Sequence, residues 1–168
     1  MSIEEKKLFK QAYEALSPGG WFEIRETALP VQCDDGTLDG TALLTWSEGM
    51  MKLSRLRGVN LDNPEKYRQW VEEAGFVNVQ EHVKIHPISP WPKDDHLKQL
   101  GNWVQFSLGD GIESFSIVMW MEQTGLSYEA CQKFLTQVRK DIHSNKIHGY
   151  LRSFTVCGQK PQVDNPPV

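Results

Sequence analysis

The chain has 168 residues, a net charge of −4, a pI near 5.7, 39% hydrophobic and 24% charged residues. That length predicts about one soluble globular domain, and the acidic balance argues against a nucleic-acid scaffold, whose phosphate contacts need a basic surface. Cys33, Cys131 and Cys157 are far apart and form no C-x-x-C, against a disulfide framework or a zinc site, and no apolar run reaches membrane-spanning length. With a charged rather than signal-like N-terminus, the sequence reads as cytoplasmic or nuclear.

Ser2-Ile3-Glu4-Glu5 has the form of a capping box, so a helix starts almost at Met1. Leu8, Phe9, Ala12, Tyr13 and Leu16 recur at helical spacing. Ser17-Pro18-Gly19-Gly20 ends that helix, and Trp21, Phe22 and Ile24 open a strand over 21–29. A loop with the turn signal Asp34-Asp35-Gly36 follows. Asp39 or Thr41 then begins a helical insert over about 39–58, closed by Gly58. Asn63-Pro64 starts another helix, and alternating Val77, Val79, Val83 and Ile85 mark a long half-buried strand over 76–88.

A proline-rich loop follows over 87–92. The stretch from about 93 to 143 reads as three helical segments, 93–108, 112–123 and 127–143. Gly109-Asp110-Gly111 is a helix-breaking turn between the first two, and the apolar run 115–121 predicts deep burial. A last strand covers 150–158, the domain extends over 1–161, and 162–168 form a disordered tail. The order αβααβαααβ gives an α/β domain with a three-strand sheet and about six helices.

The helix, P-G-G turn and strand at the start resemble the crossover into the fifth strand of Rossmann-like S-adenosylmethionine (SAM) methyltransferases. Y-x-x-W-V-E-E-A-G-F-V-N-V (Tyr67 to Val79) looks like their following helix and sixth strand. W-P-K-D-D-H-L-K-x-L-G (Trp91 to Gly101), V-R-K-D-I (Val138 to Ile142) and I-H-G-Y (Ile147 to Tyr150) together resemble the LaeA-like fungal methyltransferases of secondary metabolism. The resemblance covers the C-terminal half of that fold. It implies a partial Rossmann-like sheet whose last strand is antiparallel and lies in the middle, with the first four strands missing. It also implies SAM as cofactor, yet this sequence has no strand–glycine loop–helix to seat it, so independent binding is not expected. With its neighbour gone, the 21–29 strand edge (Trp21 to Leu29) calls for a homodimer or a partner chain.

Ligands in open α/β sheets sit beyond the carboxyl ends of parallel strands, which makes Glu26 a candidate base or hydroxyl-binding group. His148, at the entrance to the last strand, is the second catalytic candidate. Trp46, Met50, Trp91, Trp103 and Phe106 are candidates for the walls of a hydrophobic small-molecule site, against the competing reading of core packing. No metal site and no membrane or nucleic-acid partner is expected. The leading function is a truncated methyltransferase-like protein that supplies the acceptor-side pocket. The alternatives are a non-methylating protein that binds or isomerises a metabolite, and an interaction module using the open sheet edge.

Overall fold

The computed structural model describes residues 3–162; Ser2 of the expected capping box and the 163–168 part of the expected tail lie outside the described residues. Five α-helices and three strands follow one another as α1 (Ile3–Ala15), β1 (Trp21–Gln32), α2 (Ala42–Leu56), a 3₁₀ turn (Asn63–Lys66), α3 (Tyr67–Glu73), β2 (Val77–Pro87), α4 (Asp95–Thr124), α5 (Tyr128–Ile142) and β3 (Tyr150–Gln159). The sheet order is β1-β3-β2. Lys160 N donates to Gly20 O, which sets the end of β3 beside the start of β1, and Ile88 N donates to Gly149 O, which sets its start beside the end of β2. The last strand therefore lies in the middle and runs antiparallel to both neighbours, as the resemblance implies.

The described chain divides into two compact units. The first comprises Met1–Ala28, Asn63–Lys84 and Ser153–Val168. Its core is aromatic: Phe9, Trp70, Val71, Phe76 and Val156 are buried together, with Phe22 and Ile24 of β1 packed against them. Phe9 meets Phe22 edge-on at 5.9 Å, and Phe22 stacks on Phe76 at 5.4 Å. Pairing is in register across β1 and β3, for Arg25 Nε donates to Thr155 Oγ1 at 3.1 Å.

The second unit comprises Leu29–Asp62 and Ile85–Arg152. Here α2, α4 and α5 bury Leu43, Trp46, Met50, Ile112, Leu135, Val138 and Ile142. Thr41 caps α2 through Oγ1, which accepts from Leu44 N at 3.1 Å. Asp141 Oδ2 adds a second acceptor at that helix start by taking Leu43 N at 3.1 Å. Arg139 and Asp141 of the V-R-K-D-I stretch are thus packing devices, since Arg139 Nε also donates to Gly109 O at 3.0 Å.

Two expectations for the helical region are corrected. Residues 95–124 form one helix rather than two, so five α-helices and a 3₁₀ turn stand where six helices were expected. Gly109 and Gly111 do not break α4, because a continuous helix needs only helical φ and ψ, which glycine adopts at a modest cost. Gly109 is small for a contact instead: a Cβ there would come 3.0 Å from the His143 ring. Nor is the run 115–121 deeply buried. Phe115 and Val118 are exposed, while Ile112 and Ser116, four residues apart, face inward.

Gly101 shows the same logic more sharply, because a Cβ added there would lie 2.3 Å from Ser89 O, a backbone atom. Gly101→Ala is expected to destabilise the protein by about 1–3 kcal/mol, as overpacked sites do, measured as a lower midpoint in urea with unchanged m-value.

Candidate functional site

The sequence-predicted residues do not form one pocket. Glu26 is exposed on β1 in the first unit. Trp46 and Met50 lie in the core of the second unit, where Trp46 Nε1 donates to Ser116 Oγ at 2.7 Å. Trp103 and Phe106 are exposed on α4, at 65% and 64% of their full surface. Trp91 and His148 are the pair that the fold brings together, with ring centroids 4.9 Å apart.

Around that pair the loop after β1 supplies a cluster that the sequence did not single out. Asp35 accepts from Thr37 Oγ1 at 2.7 Å, from Thr37 N at 3.1 Å and from Cys33 Sγ at 3.0 Å, all on Oδ1. Its other oxygen, Oδ2, lies 2.5 Å from His148 Nδ1. The hydrogen bonds from Cys33 and Thr37, then that from His148, hold the Asp35 carboxyl well below the usual carboxylate range. Asp35 is therefore ionised at neutral pH and can only accept, so the proton in the contact sits on His148 Nδ1. In the neutral imidazole this puts the lone pair on Nε2, which makes no hydrogen bond among the described residues.

The backbone explains why these side chains converge. In the I-H-G-Y stretch, alternate residues face opposite ways. Ile147 is buried in the core, and a Cβ on Gly149 would meet Ile88 Cδ1 at 2.9 Å and Val31 Cγ1 at 3.1 Å. The intervening His148 and Tyr150 turn the other way, onto the loop. His148 N donates to Thr37 Oγ1 at 2.8 Å, and Tyr150 OH donates to Asp34 Oδ1 at 2.8 Å. That bond, with partial burial and the Asp34 charge, raises the Tyr150 pKa, so its hydroxyl stays protonated. Trp91 is tied to the same segment, because its Nε1 donates to Gly149 O at 3.0 Å. What can be done chemically is proton acceptance at Nε2, backed by a fixed anion and walled by an indole. The sequence signal was available in the turn Asp34-Asp35-Gly36, but its pairing with His148, 113 residues away, was not.

Gly109-Asp110-Gly111 lies within α4, its first carbonyl accepts from Arg139 Nε, and the place of a Gly111 Cβ is 2.8 Å from the Phe115 ring. Backbone so engaged does not cradle a nucleotide, and no parallel strand leads into it. Gly109-Asp110-Gly111 therefore does not fit the SAM that the resemblance implies.

A depressed carboxyl contributes stability that is complete above the ordinary aspartate value of about 4 and is lost as pH falls through the lower folded value. Asp35→Asn is therefore expected to lower the melting temperature at neutral pH, with the gap to wild type closing in strong acid. Carbon-13 carboxyl titration should find Asp35 ionising below the other aspartates; an ordinary Asp35 titration would contradict the hydrogen-bond network described.

No family model matches the chain. Among individual proteins it is 37% identical over 167 residues to a probable methyltransferase, tdiE, of Emericella nidulans, covering 99% of this chain and 53% of that protein. It is 30% identical to the methyltransferase pytC of Aspergillus terreus, with 92% and 48% covered, and 26% identical to the protein-methionine methyltransferase laeA of Emericella nidulans, with 92% and 41% covered. A solved structure of phosphoethanolamine N-methyltransferase 2 from Haemonchus contortus with S-adenosyl-L-methionine aligns at a TM-score of 0.43 and 16% identity, over 94% of this chain and 30% of that one. The chain spans about half the length of the curated relatives it matches. Nearly end to end its sequence is similar to fungal methyltransferases, the secondary metabolism regulator laeA among them, and is consistent with the C-terminal half of such a protein.

Proposed function

We propose that the second unit carries the acceptor side of a methyl-transfer site linked to fungal secondary metabolism, with His148 as general base. The observation that carries this reading is the Asp35–His148 pair, held at 2.5 Å beside Trp91 in a chain whose relatives are methyltransferases. His148 Nε2 takes a proton from an acceptor O–H or N–H as that atom becomes nucleophilic. The imidazolium so formed is stabilised by the Asp35 anion, which Cys33 and Thr37 hold in place. Trp91 confines the imidazole plane and offers an apolar wall to the acceptor. Glu26, Trp46, Met50, Trp103 and Phe106 have no part in this proposal. The methyl donor would be held by residues outside this chain, as the relatives' greater length suggests.

The base also narrows the acceptor class. A thioether has no proton to lose, so the dyad would be idle in the transfer named for the protein-methionine methyltransferase among the relatives. A phenol, alcohol or amine would use it.

The test is a chimera in which the N-terminal portion of the 37% identical Emericella nidulans relative precedes this chain. His148→Gln in that chimera is expected to lower kcat for hydroxyl or amine acceptors by on the order of 10²–10⁴-fold, as loss of a general base does, with a smaller effect on KM for SAM. Undiminished turnover in the variant would remove His148 from the mechanism. Calorimetry on this chain alone is expected to show no SAM binding at micromolar concentration; binding there would mean that the cofactor's seat lies within it.

A further inference from the structure

The loop after β1 is tied to His148 at two points rather than one. Gly36 takes a positive φ of 75°, so the chain folds back and Asp35 Oδ1 accepts from Thr37 N at 3.1 Å, an Asx turn. That turn sets the Thr37 hydroxyl against the same carboxylate oxygen, at 2.7 Å. Thr37 Oγ1 also accepts from His148 N at 2.8 Å, while His148 Nδ1 lies 2.5 Å from Asp35 Oδ2. The hydrogen bonds therefore close a cycle of three residues. It begins on the backbone of His148 and returns to the same residue through its imidazole.

We infer that Thr37 is a positioning residue of this site: its hydroxyl, bridging the Asp35 carboxylate and the His148 backbone, keeps the dyad's proton on Nδ1 and leaves Nε2 free to face the acceptor. The inference rests on the reading of His148 as the base and adds the group that orients it. A hydroxyl has one proton and two lone pairs. One lone pair of Thr37 takes the His148 N–H. Its proton has two acceptors in reach, Asp35 Oδ1 at 2.7 Å and Cys33 Sγ at 3.3 Å. The carboxylate is ionised and nearer, hence the stronger of the two. Every donor in the cycle thus runs toward Asp35, and bonds linked in this way polarise one another.

The other neighbours of the imidazole do not do this work. Trp91 lies against it with centroids 4.9 Å apart and the two planes 33° from parallel. A half-turn of the imidazole about χ2 would keep that plane yet carry Nδ1 away from Asp35. Opposing the half-turn falls to Asp35, whose place relative to the His148 backbone Thr37 sets. Cys33 reaches Asp35 and Thr37 but makes no hydrogen bond to His148 among the described residues. Asp35 and His148 are each more than a third exposed, and a pair so open to water holds its geometry weakly unless other bonds fix it.

Imidazole nitrogen shifts of the nitrogen-15-labelled chain, in mildly alkaline solution, report which nitrogen of neutral His148 carries the proton. In the wild type the Nδ1–H form is expected to dominate. Thr37→Val removes the hydroxyl and should lose that dominance, whereas Thr37→Ser keeps the hydroxyl and should retain it. Thermal melting checks that each variant is folded; if Thr37→Val is not, Thr37→Ala takes its place. With no variant at all, the wild-type His148 amide should be protected from hydrogen exchange, because its partner is Thr37 Oγ1. An unprotected amide overturns the inference, as does a wild-type His148 protonated on Nε2 alone, a Thr37→Val pattern identical to wild type, or a Thr37→Ser variant that fails to retain it. The two readings fail separately, since these shifts need no methyl transfer and turnover by His148→Gln does not report on Thr37.

Discussion

The antiparallel placement of β3 between β1 and β2 is the constraint on which the rest depends. Both flanking strands spend their sheet hydrogen bonds on this last strand of the chain, so neither edge is settled until residues 150–159 are in place. The alternation along β3 also decides what each residue near it does. Val156 and Phe154 point to the buried side, and Ser153 and Leu151 are nearly as enclosed. A strand covered this heavily is the one least open to substitution, and it is where the candidate site is anchored.

That anchoring explains the economy of the His148 cluster. The residues just before β3 have the same two-residue alternation as the strand, so core packing of Ile147 and Gly149 turns His148 and Tyr150 together onto the loop after β1. The loop answers with two consecutive aspartates in different roles. Asp34 accepts from a neutral tyrosine; Asp35 is an anion locked by a threonine and a thiol and bound to an imidazole. Adjacent residues of like charge are tolerated because each has its own donors. Asp35 is held by three hydrogen bonds on Oδ1, and His148 keeps Nε2 without a hydrogen bond among the described residues.

Glycines illustrate how one residue type serves opposed ends. Gly19 takes a positive φ of 79°, which the turn into β1 requires. Gly101 and Gly109 sit within α4, where their value is the missing Cβ that allows Ser89 and His143 to approach. The sequence pattern alone cannot separate these uses, because the distinction rests on a partner more than ten residues away. The same limitation produced the split of α4 and the supposed burial of the run 115–121: local composition records apolar residues, while burial depends on which face meets α2 and α5.

The sequence by itself determined the class of fold, the three strands to within three residues at either end, Thr41 as one of two candidate caps for α2, and the family resemblance carried by ordered motifs. These follow from periodicity and from hydrogen bonds within a few residues, which local chemistry dictates. Tertiary structure alone decided which candidates meet. It kept Trp91 and His148 together, sent Trp46 and Met50 into the core and left Glu26, Trp103 and Phe106 exposed. It also recruited Asp35, which the sequence marked only as part of a turn. The reason is that a contact across more than a hundred residues is fixed by how strands and helices pack, and nothing in the neighbouring sequence encodes that distance.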